Sequence, residues 1–165
     1  MSQRRPFDPT KYPDILQAML NLSVAAQNSK LEPALLELVK VRASQLNGCG
    51  FCLDMHTKDA ALEGETPQRM YLLSCWRETS LYTQRERAAL AWTEAVTRLE
   101  NQHVPDDVYE QARAQFDEEE LMRLTLAIIA INGWNRFNIA YQQPAGTYKA
   151  GSLKATLAPF NAGRP

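Results

Sequence analysis

The stretch ELVKVRASQLNGCGFCLDMH, residues 37–56, carries the strongest structural signal in this chain. Apolar residues recur at helical spacing through its first half, and the pair Asn47–Gly48 that follows is a typical helix stop. Pro33 lies where the first turn of that helix is expected. Helical spacing resumes at about Cys49. The stretch therefore predicts two helices joined by a tight turn, with a Cys-x-x-Cys motif at the start of the second.

Helix start and stop signals recur on both sides of this hairpin. Thr83 with Glu86, for example, forms the capping-box pattern that precedes a helix. The predicted helices cover about residues 14–27, 33–47, 49–61, 84–100, 105–116 and 118–142, and one more begins at 67. The fold class is therefore all-α, a single compact helical domain of six to seven helices over residues 1–148, with the Cys-x-x-Cys motif beginning the third helix. After Pro144 the composition shifts to Gly, Ala, Pro and Ser, which predicts an extended C-terminal arm or a loose tail from Lys149 to Pro165.

The length and charge of the chain limit its partners. A chain of 165 residues can bury one compact core but is short for two domains. Its 18 basic and 19 acidic residues leave no positive excess that could neutralise nucleic-acid phosphates or an anionic membrane surface. The longest apolar run, from Leu124 to Ile131, is far shorter than the roughly 20 residues that span a bilayer. The first residues, MSQRRPFDPTKYPD, do not resemble a secretory signal, so we expect a cytoplasmic protein without nucleic-acid or membrane partners.

Four residues of the hairpin could form a thiol-based active site. Cys49, Cys52 and His56 are spaced by three and four residues, so a helix places them on one face. Glu37 lies about as far before the turn as His56 lies after it, so an antiparallel hairpin brings the two level. The helix dipole and a nearby imidazole both favour a thiolate, which is the form that attacks peroxide. A second thiol one turn away can then convert the sulfenic acid into a disulfide.

The same residues leave three interpretations open. A close cysteine pair in a reducing compartment favours redox chemistry over a structural disulfide. Two thiolates, one imidazole and one carboxylate could instead bind zinc. Both cysteines could also be small buried apolar residues, with His56 satisfied in the core. The remaining cysteine, Cys75, lies on an apolar helix and is predicted to be a packed core thiol.

The spacing of the four residues also resembles a known active-site motif. Eleven residues separate Glu37 from Cys49, two separate the cysteines, and three separate Cys52 from His56. This pattern is similar to the motif of the alkylhydroperoxidase D-like, or carboxymuconolactone decarboxylase-like, family. Two further stretches are similar to that family: YTQRERAALAWTEAV, residues 82–96, and AIIAINGWNRFNIA, residues 127–140.

The resemblance covers roughly residues 7–148 and carries several implications. It implies an all-helical fold, a peroxidase that cycles through a disulfide, no metal or other cofactor, and assembly into trimers or hexamers. The nearly all-apolar seventh helix independently favours a homo-oligomer. One departure is that some peroxidatic members have a histidine between the two cysteines, where this chain has Gly50 and Phe51. The decarboxylases that give the family its name generally lack the cysteine pair, so their reaction is not implied.

We therefore predict a thiol-dependent peroxidase that reduces hydrogen peroxide or small organic hydroperoxides and is regenerated by a dithiol protein, thioredoxin-like or lipoyl-bearing. Cys52 is assigned as the peroxidatic thiol because it adjoins His56. Cys49, expected to be the more exposed cysteine, would resolve the sulfenic acid. Glu37 would orient His56 or carry its proton away. The alternative is a non-catalytic protein that uses the same four residues to bind zinc or to sense oxidation.

Overall fold

The computed structural model describes Asp8, residues 11–27 and residues 30–161, with the backbone alone for residues 158–161. This part of the chain is all-α, as predicted, and contains no strand. Its α-helices are α1 (Pro13–Gln27), α2 (Pro33–Asn47), α3 (Gly50–Leu62), α4 (Pro67–Leu72), α5 (Gln84–Arg98), α6 (Asp106–Arg113), α7 (Glu118–Ala140) and α8 (Ser152–Asn161). Two 3-10 helices, Leu73–Glu78 and Glu100–Gln102, follow α4 and α5.

Capping residues fix where the helices begin. Thr83 and Glu86 form the predicted capping box in front of α5, each side chain bonding to the backbone of the other residue. Asp117 and Glu120 form a second box in front of α7. Because the first N–H groups of a helix have no partner within it, these side chains stabilise the first turn.

The C-terminal segment differs from the predicted extended arm. Ser152–Asn161 forms α8, so the described residues contain eight α-helices rather than six or seven. Leu157 is fully buried and packs against Leu20 and Val24 of α1. A helix of 10 residues is unstable by itself, so this tertiary contact, which the local composition does not reveal, is what stabilises it. The division of the chain at Lys149 into a domain and an arm stays a prediction.

Helix α2 lies at the centre of the fold, in contact with α3, α5 and α7. Ten consecutive residues of it, 35–44, are buried. Arg42 is among them, and its guanidinium lies 2.7 Å from the carboxylate of Glu94 on α5, which also accepts a hydrogen bond from Trp76. A buried charge needs such a partner. These contacts on all sides hold α2, and with it the functional side chains that it carries, in a defined position.

Cys75 lies outside the core, contrary to the prediction of a packed thiol. Helix α4 ends at Leu72, and the chain continues as a 3-10 helix with non-helical angles at Cys75 itself. The repeat of three residues turns Leu73 and Trp76 toward the core and leaves Cys75 exposed.

Helix α7 combines a buried side with an exposed apolar side. It packs against α1, α2 and α5. On its outer side Met122 and Ile129 are 69% and 50% exposed. Among the described residues, no helix is both long enough and apolar enough to cross a membrane.

Candidate active site

The turn between α2 and α3 places the two cysteines. Gly48 has a φ of 72°, in the left-handed region that glycine adopts readily, and α2 ends there. The N–H of Cys49 donates to the carbonyl of Ser44 at 3.0 Å. Cys49 then caps α3, because its sulfur accepts a hydrogen bond from the N–H of Cys52 at 3.4 Å. The prediction that the Cys-x-x-Cys motif begins the third helix is confirmed.

The hairpin brings Glu37 and His56 level, as their spacing indicates. His56 Nδ1 lies 2.8 Å from Glu37 Oε2, and Lys40 Nζ lies 2.7 Å from Glu37 Oε1. All three side chains are buried. Burial by itself would raise the pKa of the Glu37 carboxyl, but the charges and hydrogen bonds of Lys40 and His56 outweigh it and lower the pKa to about 2. Glu37 is therefore a carboxylate at neutral pH, held between an ammonium and an imidazole.

Both cysteine sulfurs are buried by helix α7. Cys49 and Cys52 are 1% and 2% exposed, so the prediction that Cys49 is the more exposed of the two is wrong. Ile131 packs against the pair. Asn138, two turns further along α7, donates from Nδ2 to Cys52 Sγ at 3.3 Å. The sulfur of Cys52 is thus held between the start of α3 and a polar side chain of α7.

The two thiols hold their protons unequally. A hydrogen bond from the thiol of Cys52 outweighs the effect of burial, and with further bonds from the Cys52 N–H and Asn135 it lowers the pKa of Cys49 to about 7. The same bond, burial and the negative charge on Cys49 raise the pKa of the Cys52 thiol. The pair therefore loses its first proton at about pH 7 and retains the second, so above that pH it carries one thiolate and one thiol.

His56 does not complete the predicted Glu-His-Cys chain by direct contact. In the part of the chain that the structure describes, its ring is hydrogen-bonded to Glu37, whereas the thiol of Cys52 donates to Cys49 and its sulfur accepts hydrogen bonds from Asn138 and Asn135. With Nδ1 facing the carboxylate, Nε2 is the ring nitrogen left to exchange a proton.

A cavity of about 210 Å³ lies beside Cys52. Its wall is mostly apolar, with contributions from α1, α3, α7 and the start of α8: Leu16, Leu20, Met55, Ile131, Trp134 and Leu153. Lys40, Cys52 and His56 provide the reactive groups in this wall. Of the two hairpin cysteines, Cys52 lines the cavity and Cys49 does not. Apolar cavities of this order of size hold small aromatic molecules.

Sequence comparison identifies the family to which this hairpin belongs. The sequence pattern of the carboxymuconolactone decarboxylase family matches residues 12–95, which include both helices of the hairpin. The chain belongs to the carboxymuconolactone decarboxylase family. The uncharacterized protein YdfG of Bacillus subtilis strain 168 is 42% identical to it over 128 residues, which are 78% of this chain and 87% of YdfG.

Solved structures are similar to this protein over nearly its whole length. A protein of unknown function from Agrobacterium tumefaciens, suggested to be the antioxidant defence protein AhpD, has a TM-score of 0.84 and 39% identity over 88% of this chain and 100% of its own. The resemblance to alkylhydroperoxidase D-like proteins is therefore confirmed. The debrominase Bmp8 has the same fold, with a TM-score of 0.72 at 20% identity over 90% of this chain and 78% of its own. Because one fold supports different reactions, the function must be argued from the site.

Two residues of the site in this family member were not predicted from the sequence. Lys40 lies one helical turn after Glu37, so the spacing along α2 could have indicated the pair. Asn138 lies 86 residues after Cys52, and no local pattern links them.

A second cavity, of about 250 Å³, shares Lys40 and Leu153 with the first. Glu37, Asp59 and Glu63 also line it, so its wall is more polar. Glu37 thus connects this second cavity with the ring of His56, which lines the first. The Glu37–His56 pair thus lies between the two cavities.

The C-terminal strap, residues 146–153, lies over α3 and contributes to both cavities. Tyr148 Oη donates to Asp59 Oδ2, and Gly151 N donates to Asp59 Oδ1, each at 2.8 Å. Asp54 accepts a further bond from Gly146 N at 2.9 Å. These bonds position Leu153 in the walls of the two cavities.

Proposed function

We propose that this member of the carboxymuconolactone decarboxylase family is a thiol-dependent peroxidase that reduces hydrogen peroxide or small organic hydroperoxides. One observation supports the proposal most: Cys52, His56 and Lys40 line a single apolar cavity, while Cys49 lies behind Cys52 in contact with its thiol. A peroxide bound there would meet a sulfur nucleophile, an imidazole and an ammonium together. A second thiol is in place to resolve the product.

The reaction uses the proton that the two thiols share. When that proton lies on Cys49, the thiolate of Cys52 attacks the terminal oxygen of the hydroperoxide, so that an S–O bond forms and the O–O bond breaks. Cys52 becomes a sulfenic acid, and the departing alkoxide or hydroxide takes up a proton. The thiolate of Cys49 then attacks the sulfur of the sulfenic acid, a disulfide forms, and hydroxide leaves as water. The thiols supply two electrons and one proton, and the Glu37–His56 pair brings the second proton from solvent.

Access and proton affinity favour different cysteines for the attack. The lowered pKa of Cys49 places the resting thiolate on the sulfur that the cavity does not reach. We assign the attack to Cys52 because a thiolate that cannot touch the peroxide cannot react, whereas the proton has to move only between two hydrogen-bonded sulfurs. Cys49 then resolves the sulfenic acid, as the sequence predicts.

The cavity favours organic hydroperoxides over hydrogen peroxide. Leu16, Leu20, Met55 and Trp134 offer apolar surface to the part of the substrate that does not react. Each buried CH₂ of such a group contributes about 0.8 kcal/mol to binding, a gain that hydrogen peroxide lacks. A compact alkyl or aryl hydroperoxide suits the 210 Å³ of space.

A zinc site at the same residues is disfavoured by the charge around them. The carboxylate of Glu37 already binds the ammonium of Lys40, which would repel a second cation. Among the described residues, no three His, Cys, Asp or Glu side chains are grouped as metal ligands. Elemental analysis with thiol titration tests this alternative, since stoichiometric zinc that protects both thiols would favour it. Turnover of many equivalents of peroxide distinguishes an enzyme from a redox sensor, which would be oxidised once.

The reductant and the assembly are further parts of the proposal. A thioredoxin-like or lipoyl-bearing dithiol protein would reduce the disulfide, but both sulfurs are buried, so the surrounding helices must move to admit it. A homo-oligomer, a trimer or hexamer, would cover the exposed apolar side chains of Met122 and Ile129 on α7. A cytoplasmic location stays a prediction.

Single-cysteine variants test the proposed function. Cys49→Ser should consume about one equivalent of peroxide and stop, with a sulfenic or sulfinic acid on Cys52, because the resolving thiol is missing. Cys52→Ser should barely react. Cys75→Ser removes an exposed thiol away from the cavity and should turn over like the wild type. Mass spectrometry after one peroxide pulse reads the result: rapid oxidation of Cys49 in Cys52→Ser would reverse the two roles, and no oxidation in either hairpin variant would refute the peroxidase.

A further inference from the structure

We propose that Lys40 is a further catalytic residue of this site, whose ammonium donates a hydrogen bond to the oxygen that departs when the peroxide O–O bond breaks. The proposal rests on the peroxidase function proposed above. It assigns Lys40 to the breaking of the O–O bond, where neither thiol stabilises the charge on the departing oxygen. It concerns stabilisation of charge on the departing oxygen, whereas the Glu37–His56 pair moves protons.

The first observation is the position of Lys40. Its side chain is nine-tenths buried, in a wall that is otherwise mostly apolar, and it lines the same cavity as Cys52 and His56. Burying an ammonium is costly unless it is paired, so lysine is rare at such positions. The pairing here comes from Glu37, which holds Lys40 Nζ at 2.7 Å. A charged lysine is thus retained in the same cavity wall as the reactive sulfur, at a cost that an apolar residue would avoid.

The second observation concerns the hydrogen-bond donors of the ammonium. Lys40 Nζ carries three N–H donors, and among the described residues its partner is the single oxygen Oε1 of Glu37. Two donors are therefore left for a molecule in the cavities that Lys40 lines, one of which contains Cys52. In apolar surroundings a hydrogen bond from an ammonium is considerably stronger than it is in water.

These donors can stabilise the charge that develops when the O–O bond breaks. As the thiolate of Cys52 attacks, negative charge grows on the oxygen that leaves, and an alkoxide is a strong base that departs slowly without help. A fixed cation at that oxygen binds the transition state more tightly than the neutral peroxide. Because Glu37 already orients Lys40, the ammonium needs no rearrangement when the charge develops. Removing one such donor typically slows a reaction about 100-fold or more.

Lys40 could instead act indirectly, by keeping Glu37 ionised and thereby orienting His56. The comparison of two oxidants separates the two roles. An alkyl hydroperoxide such as cumene hydroperoxide releases an alkoxide, whereas peracetic acid releases acetate, a far weaker base that needs little stabilisation. Any loss of thiolate slows both oxidants alike. Disorder of His56 would impair protonation of the alkoxide, and this indirect route is removed in the Glu37→Gln background used below. A direct contact with the departing oxygen slows the alkyl hydroperoxide selectively.

The experiment measures the rate of Cys49–Cys52 disulfide formation in a single turnover of the full chain. Lys40→Met keeps the length of the side chain and removes its charge. We expect it to slow the reaction with cumene hydroperoxide about 100-fold and the reaction with peracetic acid less than about tenfold. Lys30→Met is the control, because it removes the charge of a lysine that is 82% exposed at the surface. It should change neither rate.

A second pair of variants completes the test. Lys40→Met is also made in the Glu37→Gln background, where the selective loss should persist if Lys40 acts directly. Three results would overturn the proposal: an equal loss of rate with both oxidants, no loss of rate, or a loss of rate that disappears in the Glu37→Gln background. A wild-type protein inert to both oxidants would instead overturn the peroxidase function itself. If circular dichroism shows that Lys40→Met is unfolded, Lys40→Gln, which can still bind Glu37, serves for the same comparison.

Discussion

Protonation of Glu37 should destabilise this protein in acid by an amount that the structure allows to be estimated. The carboxylate is buried between Lys40 and His56, and its pKa is lowered from the ordinary value of 4.5 to about 2. The folded state therefore binds this proton less readily than the unfolded state, so the stabilisation is complete above pH 4.5 and is lost as the pH falls toward 2. At about 1.4 kcal/mol for each tenfold change in proton affinity, the whole contribution is about 3 kcal/mol, of which about 2 kcal/mol is lost by pH 3.

Urea unfolding at a series of pH values measures this contribution. The free energy of unfolding is determined for the wild type and for Glu37→Gln between pH 7 and pH 3, at constant ionic strength. Glutamine keeps the shape of the side chain and cannot ionise. The variant should be less stable than the wild type at pH 7, and the difference between them should shrink by about 2 kcal/mol on going to pH 3. Glu110→Gln, which removes an exposed carboxylate on α6, controls for the loss of one charge.

A difference between wild type and Glu37→Gln that stays constant across this range would refute the reasoning. It would mean that Glu37 binds its proton equally well in the folded and unfolded states, and that Lys40 and His56 do not stabilise its charge. A variant more stable than the wild type at pH 7 would show that the desolvation penalty of this ion pair exceeds the stabilisation from its charge interactions.

Three further predictions concern other parts of the site and the surface. Asn138→Leu removes the hydrogen bond to Cys52 Sγ and should slow oxidation of that sulfur by about tenfold or more, measured by single-turnover peroxide consumption, since hydrogen bonds to charged groups are worth about 1.5–3 kcal/mol. Asp59→Ala leaves the hydroxyl of Tyr148 without its acceptor and should increase amide hydrogen exchange in the C-terminal strap while α2 stays protected; equal exchange in both would contradict this local effect. Ile129→Asp places a charge on the exposed apolar side of α7 and should convert an oligomer into monomers in light scattering, whereas a monomeric wild type would remove the assembly proposal.

The hairpin could be predicted from the sequence because its signals are local. The pair Asn47–Gly48 ends α2 through backbone geometry that glycine permits, and Cys49 caps the helix that follows. The spacing of Glu37 and His56 from that turn then determines that they meet, since both lie on helices of known rise. The capping box of α5 could be predicted for the same reason, because a box involves residues only three positions apart.

The errors have a common physical origin in contacts between distant parts of the chain. Cys49, at the start of its helix, was predicted to be the more exposed of the two cysteines, but α7 covers it with side chains that lie about 80 residues further on. The segment that forms α8 was predicted to be an extended arm or a loose tail because its composition shifts to small residues and proline, but the packing of Leu157 against α1 stabilises it as a helix. Cys75 was predicted to lie in the core on the assumption of an α-helix, but the chain forms a 3-10 helix at that point.

Local sequence patterns thus predicted the order of the helices, the family motif and the Glu37–His56 pair. Each of these depends on the geometry of a helix or of a short turn. The cavity, its buried lysine and the environment of each sulfur were decided by tertiary packing. Proton affinities depend on what surrounds a group within a few ångströms, and for Cys52 those surroundings include Asn138, which the sequence places 86 residues away. Only folding brings such groups together. The sequence could therefore predict thiol chemistry at the Cys-x-x-Cys motif, but not the proton affinity of each sulfur or which sulfur the cavity reaches.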